Sequence, residues 1–202
     1  MSWVLLEGYE RKRMLRAQML ALRNSKPASE LDQLSSEITA RLLELPTVKE
    51  ARTISTYLNI GSEVRTRGFV EWALWNGKRI IVPVVDRANK RLIFSEFKAP
   101  EELERGDYGI PEPKREFRRP VALEQADVIL VPGVAWDLRG FRIGYGAGYY
   151  DRSVNALRTH VATVGLAYDF QFVSNVPRSR YDRRVDRIVT ESRVIDTTPK
   201  SF

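Results

Sequence analysis

A strand, a glycine-rich loop and a helix follow one another between residues 127 and 152, and this order constrains the fold more than any other feature. A β-prone run over residues 127–131 ends at Pro132, and helical periodicity resumes only at Tyr149. Five glycines lie between them: Gly133, Gly140, Gly144, Gly146 and Gly148. Glycine lets the backbone approach an anion closely, so the order favours a phosphate-binding loop. Tight turns remain the alternative, because the spacing fits neither the Walker nor the dinucleotide motif.

Apolar runs of two different periodicities predict an α/β protein. Segments with helical spacing cover about residues 9–23, 29–45, 66–77 and 150–157. Strand-like runs cover residues 53–58, 79–85, 92–97, 127–131 and 160–166. The run at 79–85 is almost entirely apolar, which is typical of a strand buried on both faces. We therefore expect a single three-layer α/β/α domain over residues 1–202, with a mostly parallel, Rossmann-like sheet.

The composition narrows the possible functions. The chain has 202 residues and a net charge of +7, spread from Arg11 to Arg193, and it has no cysteine. Disulfides and thiolate chemistry are thereby excluded. The charge suits either a polyanion-binding surface or a site for small phosphorylated ligands, and the lack of a nucleic-acid-binding motif favours the second. With no long apolar run, we expect a cytoplasmic protein that binds neither nucleic acid nor membrane.

Three groups of side chains are candidates for chemistry. Lys12 and Arg16 are four residues apart, so they share a helical face and could hold one anion, although a solvated face has the same pattern. Glu63 lies between a predicted strand and a predicted helix, at the sheet edge where α/β proteins bind ligands. It could bind a ligand there, or it could stabilise the start of the helix. Asp151 and Arg152 follow the glycine loop directly and could bind a metal and a phosphate.

The string from Pro132 to Asp151 resembles the signature of the 5-formyltetrahydrofolate cyclo-ligases, also called 5,10-methenyltetrahydrofolate synthetases. The matching positions are Pro132, Gly133, Ala135, Trp136, Asp137, Gly140, Arg142, Ile143, Gly144, Gly146, Gly148, Tyr149, Tyr150 and Asp151. Further segments similar to the family are Lys12-x-x-Leu-Arg16, Tyr57 to Thr66, residues 109–113, and Asp182 to Glu191. The resemblance therefore covers nearly the whole chain.

This resemblance implies that ATP and Mg²⁺ drive the closure of 5-formyltetrahydrofolate, in its mono- or polyglutamylated form, to 5,10-methenyltetrahydrofolate. Phosphorylation of the formyl oxygen would precede ring closure and release of phosphate. The implied ATP-binding residues are Lys12, Arg16, Arg142, Gly144, Tyr145, Gly146, Ala147, Gly148, Tyr149 and Tyr150, with Arg142 and Arg152 as catalytic residues. The implied folate-binding residues are Tyr57, Glu63, Tyr108 and Tyr150, and the implied Mg²⁺ ligands are Asp151 and Asp186.

Three positions depart from the family pattern. Arg65 replaces an acidic residue, Tyr145 replaces a basic residue between two loop glycines, and Tyr181 replaces a histidine. These departures leave open a relative that binds nucleotide but lacks cyclo-ligase activity. The net charge alone keeps a third hypothesis, a nucleic-acid-binding module. We expect a monomer or a weak homo-oligomer.

Overall fold

Eleven strands and five α-helices are present in the part of the chain that the structure describes. The computed structural model describes residues 3–106, 109–146 and 148–198, with side chains from residue 8 onward. The strands are β1 Thr53–Ser55, β2 Arg79–Asp86, β3 Arg91–Phe97, β4 Leu103–Arg105, β5 Pro111–Pro113, β6 Val128–Val131, β7 Ala135–Trp136, β8 Arg142–Ile143, β9 Ala162–Leu166, β10 Arg187–Val189 and β11 Val194–Asp196. The helices are α1 Trp3–Asn24, α2 Ala28–Leu43, α3 Pro46–Glu50, α4 Arg67–Trp75 and α5 Tyr149–Asn155.

Seven of the strands form one central sheet in the order β11-β10-β9-β6-β1-β2-β3. The five inner strands are parallel, and the edge strands β3 and β11 run antiparallel to their neighbours. From β1 the chain passes through α4 to β2 on one side, whereas β6 pairs with the other side of β1 and leads through α5 to β9. The strand order therefore reverses between β1 and β6.

The sheet is covered on both faces by apolar side chains. On one face, α2, α3 and α4 contribute Ile38, Leu42, Val48 and Phe69, which pack with strand residues that include Ile54. The other face of the sheet is covered by Leu123, Trp136 and the segment after α5. A third cluster joins Met19 of α1 to Val134, Ala135, Ile143 and Val176. Within the described residues, no helix combines the length and apolarity needed to cross a membrane.

The predicted α/β class and mostly parallel sheet are confirmed. Two short hairpins, β4–β5 and β7–β8, were not predicted, because strands of two or three residues are too short to show alternation. The short helix α3 was also missed. The sequence shows no periodicity over residues 99–120, yet this segment contains the first hairpin. There Glu112 is buried and accepts a hydrogen bond from the Val85 N–H at 2.9 Å.

Trp136 is fully buried, and its ring lies directly against the backbone of Gly165 in the middle of β9. A Cβ atom at residue 165 would lie 2.4 Å from the Trp136 Cη2 atom, which is closer than van der Waals contact allows. The strand therefore requires glycine here for packing, even though glycine weakens strands in general.

We predict that Gly165→Ala destabilises the protein by about 1–3 kcal/mol, because the added methyl group overpacks the core against Trp136. Urea unfolding followed by circular dichroism measures this loss. The control is Gly68→Ala in α4, where a Cβ atom meets nothing within 4 Å. This control should be neutral or stabilising by up to about 1 kcal/mol. Equal stability of Gly165→Ala and the parent would contradict the packing explanation.

Candidate active site

A cavity of about 400 Å³ opens where the strand order reverses, at the carboxyl ends of β1 and β6. Open α/β sheets bind ligands at this position, because adjacent loops leave the sheet in opposite directions and separate. The loop after β1 supplies one wall, and the glycine loop with the start of α5 supplies the other. The lining residues are Tyr57, Leu58, Ile60, Glu63, Pro83, Val85, Leu92, Ile110, Pro132, Gly133, Arg142, Gly144, Tyr145, Gly148, Tyr149, Tyr150 and Asp151.

The glycine loop takes a backbone path that other residues rarely adopt. Gly146 has a φ of +110° and Gly148 a φ of +67°, and Gly148 is the residue immediately before α5. A residue with a side chain is strained at such φ angles, so the path of the loop itself requires glycine at these two positions. The loop residue Ala147 and the predicted folate residue Tyr108 lie outside the described residues.

Basic side chains from separate parts of the chain reach the glycine loop. Arg16 donates from Nε to the Gly144 carbonyl at 2.7 Å, and a Cβ atom at residue 146 would lie 3.4 Å from the Arg16 Cζ atom. Lys12, one turn earlier in α1, forms an ion pair with Asp182. Arg152 donates to the Lys90 carbonyl at 2.8 Å, and its guanidinium lies 5.2 Å from the Tyr149 ring centroid.

Arg142 and Asp151 form a partly buried ion pair at the cavity wall. The Arg142 Nη2 atom lies 3.1 Å from Asp151 Oδ1, with side-chain exposures of 5% and 24%. Arg142 Nη1 also donates to the Arg183 carbonyl at 3.3 Å. Removing either charge would leave the other partly buried without compensation, so each residue holds its partner in place.

The second predicted metal ligand, Asp186, is not brought to this cavity. Its Oδ2 atom accepts hydrogen bonds from the N–H and the hydroxyl group of Thr163, both at 2.8 Å, and lies 3.5 Å from the exposed His160. Asp186 directly precedes β10, which puts it at the amino end of a strand parallel to β6. Within the described residues, no three His, Cys, Asp or Glu side chains cluster as a metal site.

Glu63 is a buried carboxylate, 5% exposed, in the loop after β1. Its Oε2 atom accepts a hydrogen bond from the Ile60 N–H at 2.8 Å, and Tyr145 lines the same cavity. Burial raises the pKa of Glu63, while the Ile60 N–H and the charge of Arg23 oppose that rise. The Ile60 N–H thus holds the carboxylate in the cavity wall.

Two tyrosines stand beside Glu63 in the cavity as neutral phenols. Burial, together with the nearby Glu63 charge, raises the pKa of both Tyr57 and Tyr150 well above the ordinary value. Tyr57 donates from its hydroxyl to the Val64 carbonyl at 3.2 Å, which fixes its ring against the wall. Both rings therefore offer flat apolar surfaces next to a carboxylate.

Sequence reasoning missed Arg23, which is 1% exposed and contacts Ser62, Gly133 and Tyr145. A signal was present, because Arg23 follows Arg16 by seven residues, and residues two turns apart share a helical face. That spacing alone does not separate a buried guanidinium from a solvated one. Tyr168 lies beneath the same loop, where its hydroxyl contacts the Glu63 carbonyl at 3.1 Å.

Comparison with known proteins bears on these features. A model of the 5-formyltetrahydrofolate cyclo-ligase family matches residues 9–191. The chain belongs to the 5-formyltetrahydrofolate cyclo-ligase family. It is 32% identical to the 5-formyltetrahydrofolate cyclo-ligase of Escherichia coli, over 80% of this chain and 90% of that one. The corresponding enzyme of Haemophilus influenzae is 27% identical, over 86% and 94% of the two chains.

Solved structures of the family have the same fold. The NMR structure of 5,10-methenyltetrahydrofolate synthetase from Aquifex aeolicus matches with a TM-score of 0.82 and 33% identity, over 95% of both chains. The synthetase from Mycoplasma pneumoniae matches with a TM-score of 0.73 and 26% identity, over 89% of this chain and 98% of that one. The family membership predicted from the glycine loop is thus confirmed over nearly the whole cyclo-ligase fold.

Proposed function

We propose that this chain closes 5-formyltetrahydrofolate to 5,10-methenyltetrahydrofolate, using ATP and Mg²⁺ and releasing ADP and phosphate. One observation carries the proposal beyond family membership: a single cavity has the glycine loop and Arg142 on one wall and the buried carboxylate of Glu63 on the other. Joining a nucleotide to a folate requires both kinds of surface in one cavity. A nucleotide-binding module or a nucleic-acid-binding surface would not need the second.

In this proposal, the ATP triphosphate lies along the glycine loop. The backbone N–H groups of residues 144–149 approach the phosphates, and Lys12, Arg16 and Arg152 neutralise their charge. Lys12 exchanges its partner Asp182 for a phosphate oxygen. Transfer of a phosphoryl group depends mainly on positioning and charge neutralisation, and this set of cations supplies both.

Asp151 fits a Mg²⁺ ligand, because protein-bound Mg²⁺ commonly uses one or two carboxylates together with substrate phosphates. The ion would supply positive charge to the transferring phosphoryl group. Arg142, paired with Asp151, keeps that carboxylate directed at the cavity. We leave Asp186 out of this role, since Thr163 holds its carboxylate elsewhere.

The folate lies between the loop after β1, which carries Glu63, and Tyr150 at the start of α5. Its pterin ring has N–H donors that suit the Glu63 carboxylate, and its flat rings suit the faces of Tyr57 and Tyr150. The formyl oxygen then takes the γ-phosphoryl group, the neighbouring folate nitrogen attacks the formyl carbon, and phosphate leaves. We also propose that residues 1–202 form one domain acting in the cytoplasm, as a monomer or weak homo-oligomer.

The experiment that tests this function follows the near-ultraviolet absorbance of the methenyl product, with 5-formyltetrahydrofolate, ATP and Mg²⁺ present. We expect product only when all three are supplied. ATP binding without product would instead identify a relative that has lost the activity. Asp151→Asn should raise the Mg²⁺ concentration for half-maximal rate, and an unchanged Mg²⁺ requirement would refute the assignment of Asp151.

We predict that Arg16→Ala raises the KM for ATP about 10- to 100-fold, since a hydrogen bond to a charged group contributes about 1.5–3 kcal/mol. Steady-state kinetics with varied ATP measures this change. The control is Arg13→Ala on the same helix, where Arg13 is exposed and pairs only with Glu10 among the described contacts. If both variants behave alike, Arg16 does not bind the phosphates.

We predict that Glu63→Gln raises the KM for the folate about tenfold or more and leaves the KM for ATP nearly unchanged, because a neutral amide replaces the acceptor for the pterin donors. Kinetics with each substrate varied in turn separates the two effects. The control is Glu37→Gln on the exposed face of α2. An unchanged folate KM would remove Glu63 from the folate site.

A further inference from the structure

Arg23, at the end of α1, joins three loops that surround the cavity. Its Nε atom donates to the Ser62 hydroxyl at 2.9 Å, its Nη1 atom to the Gly133 carbonyl at 3.3 Å, and its Nη2 atom to the Tyr145 hydroxyl at 2.6 Å. These partners belong to the loop after β1, the loop after β6 and the glycine loop. A guanidinium that is 1% exposed is therefore anchored where both substrate walls meet.

The arginine side chain fixes the direction of the hydrogen bond between Arg23 and Tyr145. A guanidinium group has only donors, so the Tyr145 oxygen must accept from Arg23. The Tyr145 proton is then left for another acceptor, and the Glu63 carboxylate lines the same cavity as Tyr145. A hydroxyl that accepts from a guanidinium is polarised by it, which makes that hydroxyl a stronger donor toward a carboxylate.

We propose that Arg23 is a positioning residue of the folate site, acting through Tyr145 to keep the Glu63 carboxylate directed into the cavity. This inference rests on the proposed role of Glu63 as the folate-binding carboxylate. Arg23 itself does not line the cavity, so its effect on substrate passes through Tyr145 and Glu63. In this proposal, Tyr145, which is nearly half exposed, belongs to the folate wall as well as to the glycine loop.

The charges around Glu63 give the direction of the expected effect. Arg23 faces it from α1, Arg65 from its own loop, Tyr145 from the glycine loop, Tyr57 from the end of β1 and Tyr150 from α5. Burial raises the pKa of Glu63, and Arg23 and Tyr145 counteract this rise. Without them, the pKa of Glu63 rises further, and the carboxylate protonates at a higher pH.

Folate binding should weaken as pH falls through the pKa of Glu63, because the protonated acid loses its charge as an acceptor. The readout is therefore the acid limb of kcat/KM for 5-formyltetrahydrofolate between about pH 5 and 8, with ATP-free blanks subtracted. We expect Arg23→Met to move this limb to higher pH by about 1 unit, the effect of losing a nearby opposite charge. Arg23→Lys keeps the charge, so the limb of this variant should lie close to its position in the parent protein.

Tyr145→Phe keeps the experiment decisive if Arg23→Met does not fold. It removes one hydroxyl from a half-exposed ring and should shift the limb in the same direction by a smaller amount. The control is Arg41→Met, because Arg41 also ties its helix to a loop, through the Thr190 and Glu191 carbonyls, but does not face Glu63. It should leave the limb in place.

Three results separate the possibilities. If Glu63→Gln abolishes the acid limb and both the Tyr145 and Arg23 variants shift it upward, the inference is supported. If Glu63→Gln abolishes the limb but Tyr145→Phe leaves it unmoved, Arg23 is only a structural tie and the inference is overturned. If Glu63→Gln changes neither the folate KM nor the limb, the folate role of Glu63 fails and the inference fails with it.

Discussion

The reversal of strand order between β1 and β6 is the constraint on which the site depends. Because α4 carries the chain to one side of β1 and α5 carries it to the other side of β6, the two loops at this edge separate and leave a crevice. Glu63 stands on one loop and the glycines on the other. The opposed carboxylate and glycine walls thus follow from topology before any particular side chain contributes.

Helix α1 completes the crevice by bringing cations to it. Met19 packs with Val134, Ala135 and Ile143, which fixes the helix against the β7–β8 hairpin that leads into the glycine loop. Once this apolar face is buried, Arg16 and Arg23 must point toward the loops that flank the hairpin. The apolar packing of one helix therefore determines where two guanidinium groups lie.

The sequence predicts those parts that depend on local pattern. The strand β6 and the helix α5 have clear periodicities, and the loop between them is marked by its glycines. Lys12 and Arg16 share a face through simple helical spacing. What it does not reveal depends on tertiary placement. Arg23 becomes significant only when α1 docks beside Gly133, and Asp186 falls at the amino end of β10, whereas the glycine loop follows the carboxyl end of β6. Neither fact is encoded in residue spacing.

The departure at Tyr145 looks different once its partners are known. The family pattern places a basic residue at this position, between two loop glycines. In this structure, the Tyr145 hydroxyl accepts a hydrogen bond from Arg23 at 2.6 Å, and the ring lines the same cavity as Glu63. Burial and the neighbouring Glu63 charge raise the pKa of Tyr145 to about 12, so the phenol keeps its proton at neutral pH. Basic side chains reach the loop from the flanking helices instead, namely Arg16 of α1 at Gly144 and Gly146 and Arg152 of α5 at Gly148.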